Sequence, residues 1–100
     1  METIIQKQDG NMVAILKGRL DTAAAPDTEK AMGELINGTE KEIILDCTEL
    51  EYISSAGLRI FLTILQNTQE KGGHVYIKGI SDDVRAVFAL TGFINIFEFI

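Results

Sequence analysis

The apolar run Ile43-Ile44-Leu45, followed a short way on by the small-residue cluster Ser54-Ser55-Ala56-Gly57 and then by a helix-patterned segment, leaves this chain few folds to choose from. The run is short and β-branched, which favours a buried strand over a piece of helix. After the cluster, Leu58, Phe61, Leu62 and Leu65 recur at the i, i+3, i+4, i+7 spacing of one helix face. Ile43 to Gln69 therefore reads as strand, loop, helix. Two hydroxyls stand at the helix entrance, where the first backbone N–H groups have no partner inside the helix.

The rest of the chain repeats this alternation. Thr3–Gln8 and Asn11–Lys17 are extended segments joined at Asp9-Gly10, a dipeptide suited to the positive φ values of a tight hairpin turn. Gly18 is expected to end the second strand. Asp21 and Thr22 are turn and cap residues, and Pro26 opens a helix expected to run to about Asn37, with Ala31, Met32, Leu35 and Ile36 facing inward and Asn37-Gly38 as its stop. Gly72-Gly73 closes the central helix before a fourth strand, His74–Ile77. Ser81-Asp82-Asp83 starts a further helix, with Val84, Val87, Phe88 and Thr91 turned inward and Gly92 as terminator. Ile94–Ile100 is rich in Ile and Phe and reads as an edge strand or a cover for the sheet.

The expected fold is α/β: an N-terminal β-hairpin followed by βαβαβα units, a mixed, mainly parallel sheet with helices on one face, in a single domain over residues 1–100. The carboxyl ends of parallel strands share one edge of such a sheet, where α/β proteins place their ligands. If the second and third strands are neighbours, Asp21 and Ser55 meet at that edge.

Charge and motif content exclude several classes of function. The formal net charge is −6 and no Lys/Arg cluster is present, which argues against direct nucleic-acid or anionic-membrane partners and for basic protein surfaces. No apolar run approaches the ~20 residues of a membrane span and no signal-peptide core follows Met1, so a soluble, cytoplasmic protein is expected. Cys47 has no second cysteine to pair with and reads as a small buried hydrophobe. His74 is the only histidine and stands apart from other ligand types, so no metal is expected; no phosphate-loop motif is present, so no cofactor is expected. A Ser-His-Asp triad lacks its Gly-x-Ser-x-Gly elbow and would have His74 at the wrong edge of the sheet. No catalytic residue emerges, and the chain is expected not to be an enzyme.

Each remaining candidate has a structural and a functional reading. One serine of the pair is expected to cap the helix, a role that contributes ~1 kcal/mol; the second is then surplus to the fold. Ala56 and Gly57 keep the neighbouring surface small and open. Asp21 is either a cap or a site residue. Asp46 is expected to accept loop N–H groups, with an aspartyl-phosphate receiver as the alternative function, and Thr48 is expected to cap the turn toward Glu49. Glu49 and Glu51 read as a solvated connector. Ile60 and Ile64 point away from the Leu58, Phe61, Leu62, Leu65 face, so they either pack on a flanking helix or form an apolar contact strip starting beside Ser55.

Taken together, Gly18-Arg19-Leu20-Asp21, Leu45-Asp46-Cys47-Thr48, Ile53-Ser54-Ser55-Ala56-Gly57-Leu58-Arg59 and Leu90-Thr91-Gly92-Phe93 resemble the STAS domains, most closely the small antagonists of anti-sigma factors. The serine block is the most specific of the four. The resemblance implies a non-catalytic module that binds an anti-sigma factor with serine kinase activity when unphosphorylated, is released on phosphorylation, and is restored by a PP2C-type serine phosphatase. It places the phosphorylated serine on Ser55, two residues before Gly57. Many members carry aspartate just before that serine; this chain has Ser54, which becomes the second candidate. The resemblance also places Thr48 beside the serine loop. The implied partner surface comprises Asp21, Thr48, Ser54, Ser55, Ala56, Gly57, Arg59, Ile60 and Ile64. A STAS module serving only as a scaffold is a further alternative.

Overall fold

The computed structural model describes all 100 residues. Its elements are β1 (Glu2–Gln8), β2 (Asn11–Leu20), α1 (Ala25–Ala31), α2 (Gly33–Asn37), β3 (Glu42–Ile53), α3 (Ser55–Glu70), β4 (His74–Lys78), α4 (Asp82–Leu90), a 3-10 turn (Phe93–Asn95) and β5 (Glu98–Phe99). The sheet order is β1-β2-β3-β4-β5. β1 pairs antiparallel with β2, and every later pairing is parallel. Asp9 (φ 51°) and Gly10 (φ 83°) supply the two positive-φ residues that the hairpin turn requires.

Each crossover adds the next strand beside the last, and right-handed connections then put every helix on one face. Burial follows that rule. Met12, Ala14 and Leu16 on β2, Ile43, Leu45 and Cys47 on β3, and Val75 and Ile77 on β4 point into one core with the helices, whereas Ile15, Ile44 and Tyr76 on the alternate face are only half-buried. Phe61 of α3 and Phe88 of α4 pack with ring centroids 6.2 Å apart, and Phe88 meets Phe97 and Phe99 edge-on at 5.7 and 5.6 Å. This aromatic cluster ties α4 and the final strand to the centre. The segment Ile94–Ile100 thus contributes the edge strand.

The chain departs from the sequence expectations at three elements that shape the site. The helix expected from Pro26 to Asn37 is two short helices broken at Met32, whose φ and ψ of −97° and 16° leave the helical range just before Gly33. Glycine is the weakest ordinary helix former, and the break lets Met32 turn fully into the core. The second strand does not stop at Gly18 but shifts register there, with φ at 101°, and continues to Leu20. The connector Glu49–Glu51 is strand as well. Beyond the pair Asp46–Lys78, β3 leaves β4 and runs on beside β2 alone, with Leu20 opposite Ile53. The result is a two-stranded arm that delivers the end of β2 and the start of α3 to one place.

Candidate functional site

The arm ends in a hydrogen bond from the Ser54 N–H to the Leu20 carbonyl at 2.8 Å. Asp21 and Ser54 are therefore the next residues past a paired position, which brings the β2–α1 turn against the entrance of α3 as expected. Asp21 Oδ1 accepts the Ala24 N–H at 2.9 Å and so shapes that turn.

The two serines divide the work. Ser54 is the N-cap: its backbone is extended (φ −90°, ψ 171°), its Oγ accepts the Gly57 N–H at 3.2 Å, and it is buried. Ser55 is the first residue of α3, takes no part in that cap, and is exposed. A cap needs one hydroxyl, and the chain supplies a second that faces solvent.

Gly57 is a packing residue rather than a contact residue. It is buried, and a Cβ there would lie 2.7 Å from Leu20 Cγ and 2.9 Å from Ile53 Cγ1. The bare α-carbon lets the first turn of α3 seat on the ends of β2 and β3. Ile64 is also removed from the partner surface, at 0 % exposure, and Ile60, at 5 %, reaches it only as part of a groove wall. α3 lies in a trough, touching the sheet beneath it and both α1 and α2 on one flank. Its buried residues, Gly57, Leu58, Ile60, Phe61, Ile64, Leu65 and Thr68, span about 160° of the helical wheel, more than the stripe of three leucines and one phenylalanine suggests. Leu62, placed inside by that stripe, sits at the rim and is half-exposed.

Thr48 is likewise not beside the serine loop. Its N–H and Oγ both donate to Asp46 Oδ1, at 3.0 and 2.7 Å, and its Oγ1 lies 2.5 Å from where a Cβ on Gly79 would stand. It lies in β3 against Gly79, just past the end of β4, with the whole Glu49–Ile53 arm between it and Ser54. Asp46 accepts backbone and hydroxyl from one residue, the structural role expected of it, and no three His, Cys, Asp or Glu side chains converge anywhere in the chain. His74 opens β4 at the opposite edge of the sheet from the serines, near Glu98 at 3.6 Å. Cys47 is fully buried, and burial first, then the Asp46 charge, push its thiol well above the ordinary range, so the thiolate is suppressed. No helix is long and apolar enough to cross a membrane.

Two grooves flank the exposed start of α3. One, of about 360 Å³, runs between Ala25, Pro26 and Glu29 of α1 and Ala56, Arg59 and Ile60 of α3. The other, of about 180 Å³, is lined by Ser55, Leu58, Arg59, Leu62, Thr91 and Phe93, so the far end of α4 forms its second wall. Thr91 and Phe93 were not among the site residues expected from sequence. The helical pattern turns Thr91 inward, whereas in the structure it is exposed and donates its hydroxyl to the Val87 and Phe88 carbonyls at 2.9 and 3.1 Å. Gly92, with φ at 80°, turns the chain so that Phe93 meets the groove. The signal was the Leu90-Thr91-Gly92-Phe93 block, legible as a helix stop but not as a wall. At the outer side of the arm, the Arg19 guanidinium stacks 4.5 Å over the Tyr52 ring, an exposed pair that period-two reasoning also missed.

The fold is a two-layer α/β domain, and the exposed features of this edge are a spare hydroxyl, small side chains and two shallow grooves. The STAS domain profile matches residues 2–100, and the chain belongs to the STAS family. It is 33 % identical over 97 residues, covering 97 % of this chain and 84 % of the relative, to BtrV of Bordetella bronchiseptica, provisionally named an anti-sigma factor antagonist. It is 27 % identical over 75 residues to the anti-sigma-B factor antagonist of Staphylococcus aureus, covering 75 % of this chain and 69 % of that one. Among solved structures, the unphosphorylated anti-sigma factor antagonist SpoIIAA superposes with a TM-score of 0.81 at 21 % identity, over 99 % of this chain and 88 % of that one. Bacillus SpoIIAA in its phosphorylated form superposes with a TM-score of 0.75 at 19 % identity, covering 99 % of this chain and 89 % of that chain. At these identities the structures speak for the fold.

Proposed function

We infer that this chain is a cytoplasmic, non-catalytic anti-sigma factor antagonist that works by partner switching. Its unmodified form binds an anti-sigma factor that is also a serine kinase, phosphorylation of Ser55 by that kinase ends the complex, and a PP2C-type phosphatase restores it. Family membership and the names of the relatives support the antagonist reading. The observation that carries the choice of Ser55 is the division between the serines: Ser54 is buried and holds the Gly57 N–H, whereas Ser55 is exposed and outside the cap.

The physics of release is local. Phosphorylation adds about −1.5 to −2 charges and a tetrahedral group to an edge otherwise formed by small side chains, beside Asp21. A partner that buries this edge has to desolvate the new charge, while the fold, whose cap rests on Ser54, keeps its support. The surface that serves the partner is Asp21, Ser55, Ala56, Arg59 and the walls of the two grooves.

The test is incubation of the chain with ATP and the host's kinase-type anti-sigma factor. Wild type and Ser54→Ala should acquire acid-stable phosphate, and Ser55→Ala should acquire none. Normal incorporation into Ser55→Ala overturns the assignment, and acid-labile, Mg²⁺-dependent phosphate would move it to Asp46.

A further inference from the structure

The chain has three arginines, and two of them are engaged: Arg19 lies over the Tyr52 ring at 4.5 Å and Arg85 over the Phe99 ring at 5.1 Å. Arg59 has neither an aromatic face beneath it nor an ion pair; the salt bridges join Lys7 to Glu40, Lys17 to Glu49 and His74 to Glu98. It is exposed, and it lines both grooves, so its side chain forms the ridge between them.

Its position relative to Ser55 is specific. The two residues are one helical turn apart on α3, both on the rim of the groove between α3 and α4. Side chains in an α-helix lean toward the N-terminus, so Arg59 reaches back over the turn that Ser55 begins. An anion at i with a cation at i+4 is the favoured orientation for such a pair. A guanidinium also matches a phosphate with two parallel N–H donors, which a lysine ammonium does not.

We propose that Arg59 receives the phosphate of phosphorylated Ser55 within the same helix, and that this pairing draws the Arg59 side chain across the groove lined by Leu58, Leu62, Thr91 and Phe93. The proposal rests on the reading that Ser55 is the modified residue. It gives the switch a second component beside repulsion. In the unmodified chain Arg59 is available to a carboxylate of the partner and the groove is open to an apolar side chain. In the modified chain the cation is taken and the groove is covered, so both contacts are lost together. The one acid lining these grooves is Glu29, across the larger, and Asp21 stands in the neighbouring β2–α1 turn with its carboxylate on the Ala24 N–H, while Thr91 and Phe93 bring no charge from the end of α4. These acids are the same in every variant below, so they cancel from the comparison.

The experiment uses the full chain with phosphoserine installed at position 55 during synthesis, in wild-type, Arg59→Gln and Arg59→Lys backgrounds, titrated by ³¹P NMR. Free phosphoserine loses its second proton near pH 6. Pairing with Arg59 favours the dianion, so the wild-type midpoint should lie below that of Arg59→Gln by about 0.15–0.4 unit, with Arg59→Lys between them. The gap should narrow as salt is added. The Leu62 methyl and Phe93 ring signals should shift on phosphorylation in wild type and stay in place in Arg59→Gln. Coincident titrations of wild type and Arg59→Gln overturn the pairing, and unmoved Leu62 and Phe93 signals overturn the covering of the groove. Because the phosphate is placed without a kinase, a host kinase that ignores Ser55 would sink the functional reading and leave this result standing.

Discussion

On α3, Gly57, Ile60 and Ile64 look inward, and Ser55, Arg59 and Leu62, drawn from the same turns, look outward. The inward set has no freedom: a Cβ on Gly57 would lie less than 3 Å from side-chain atoms of Leu20 and Ile53, and both isoleucines are buried. In the outward set Ser55 and Arg59 are exposed, only Leu62 packs against the core from the rim, and together they border both grooves. Charge or bulk added to the outer set is therefore read by whatever docks there, and the same change on the inner set is read by the fold. A helix with one anchored and one free face can carry a covalent signal without losing its place.

That contrast is open to direct test, beginning with the largest effect. Ile64→Ala empties a fully buried position and should cost about 2–5 kcal/mol, lowering the melting temperature by roughly 10 °C or more. Near-normal stability combined with weakened partner binding would return Ile64 to the surface strip and break the division. Gly57→Ala comes next. Alanine is the better helix former by about 1 kcal/mol, yet its methyl has no room and overpacking costs about 1–3 kcal/mol, so urea denaturation should show a net loss of up to about 2 kcal/mol. A neutral or stabilising result would mean that Leu20 and Ile53 yield, and that the seat of α3 is looser than the distances imply. The smallest effects separate the serines. Ser54→Ala removes the cap and leaves a buried N–H without its acceptor, for about 0.5–2 kcal/mol, whereas Ser55→Asp should stay within about 0.5 kcal/mol of wild type and bind the partner more weakly. Equal losses in stability for the two would erase the distinction on which the assignment of Ser55 depends.

Much of this arrangement is legible in the sequence because it rests on local chemistry. Asp9-Gly10 announces a positive-φ turn, a serine before an apolar helix announces a cap, and Gly92 announces a stop; each is found where expected. The placing of the helices on one face follows from the handedness of crossovers once each strand is added beside the last, an order that the structure supplies. The errors fall where tertiary context overrides local pattern. Glu49–Ile53 looked like a connector because its register shifts place the buried residues Leu50 and Ile53 three apart, which hides the period-two signal of a strand. Ile60 and Ile64 were open to a surface role because a wheel drawn for one interface cannot foresee that α3 is packed beneath and along a flank. The second wall of the Ser55 groove was out of reach for a different reason. Thr91 and Phe93 meet Ser55 only through the packing of α4, a contact between residues far apart in the chain.

The order of strands in the sheet is also their order in the chain, and this bears on how the molecule is made. A polypeptide emerging from the ribosome N-terminus first finds, for each new strand, the neighbour it needs already synthesised, and no strand has to wait for one still to come. The serine edge is the exception to this early readiness. β2, β3 and the start of α3 are complete long before Thr91 and Phe93 appear, so a nascent chain displays the hydroxyl before it displays the groove. A recogniser that requires both engages finished molecules and passes over those still under construction.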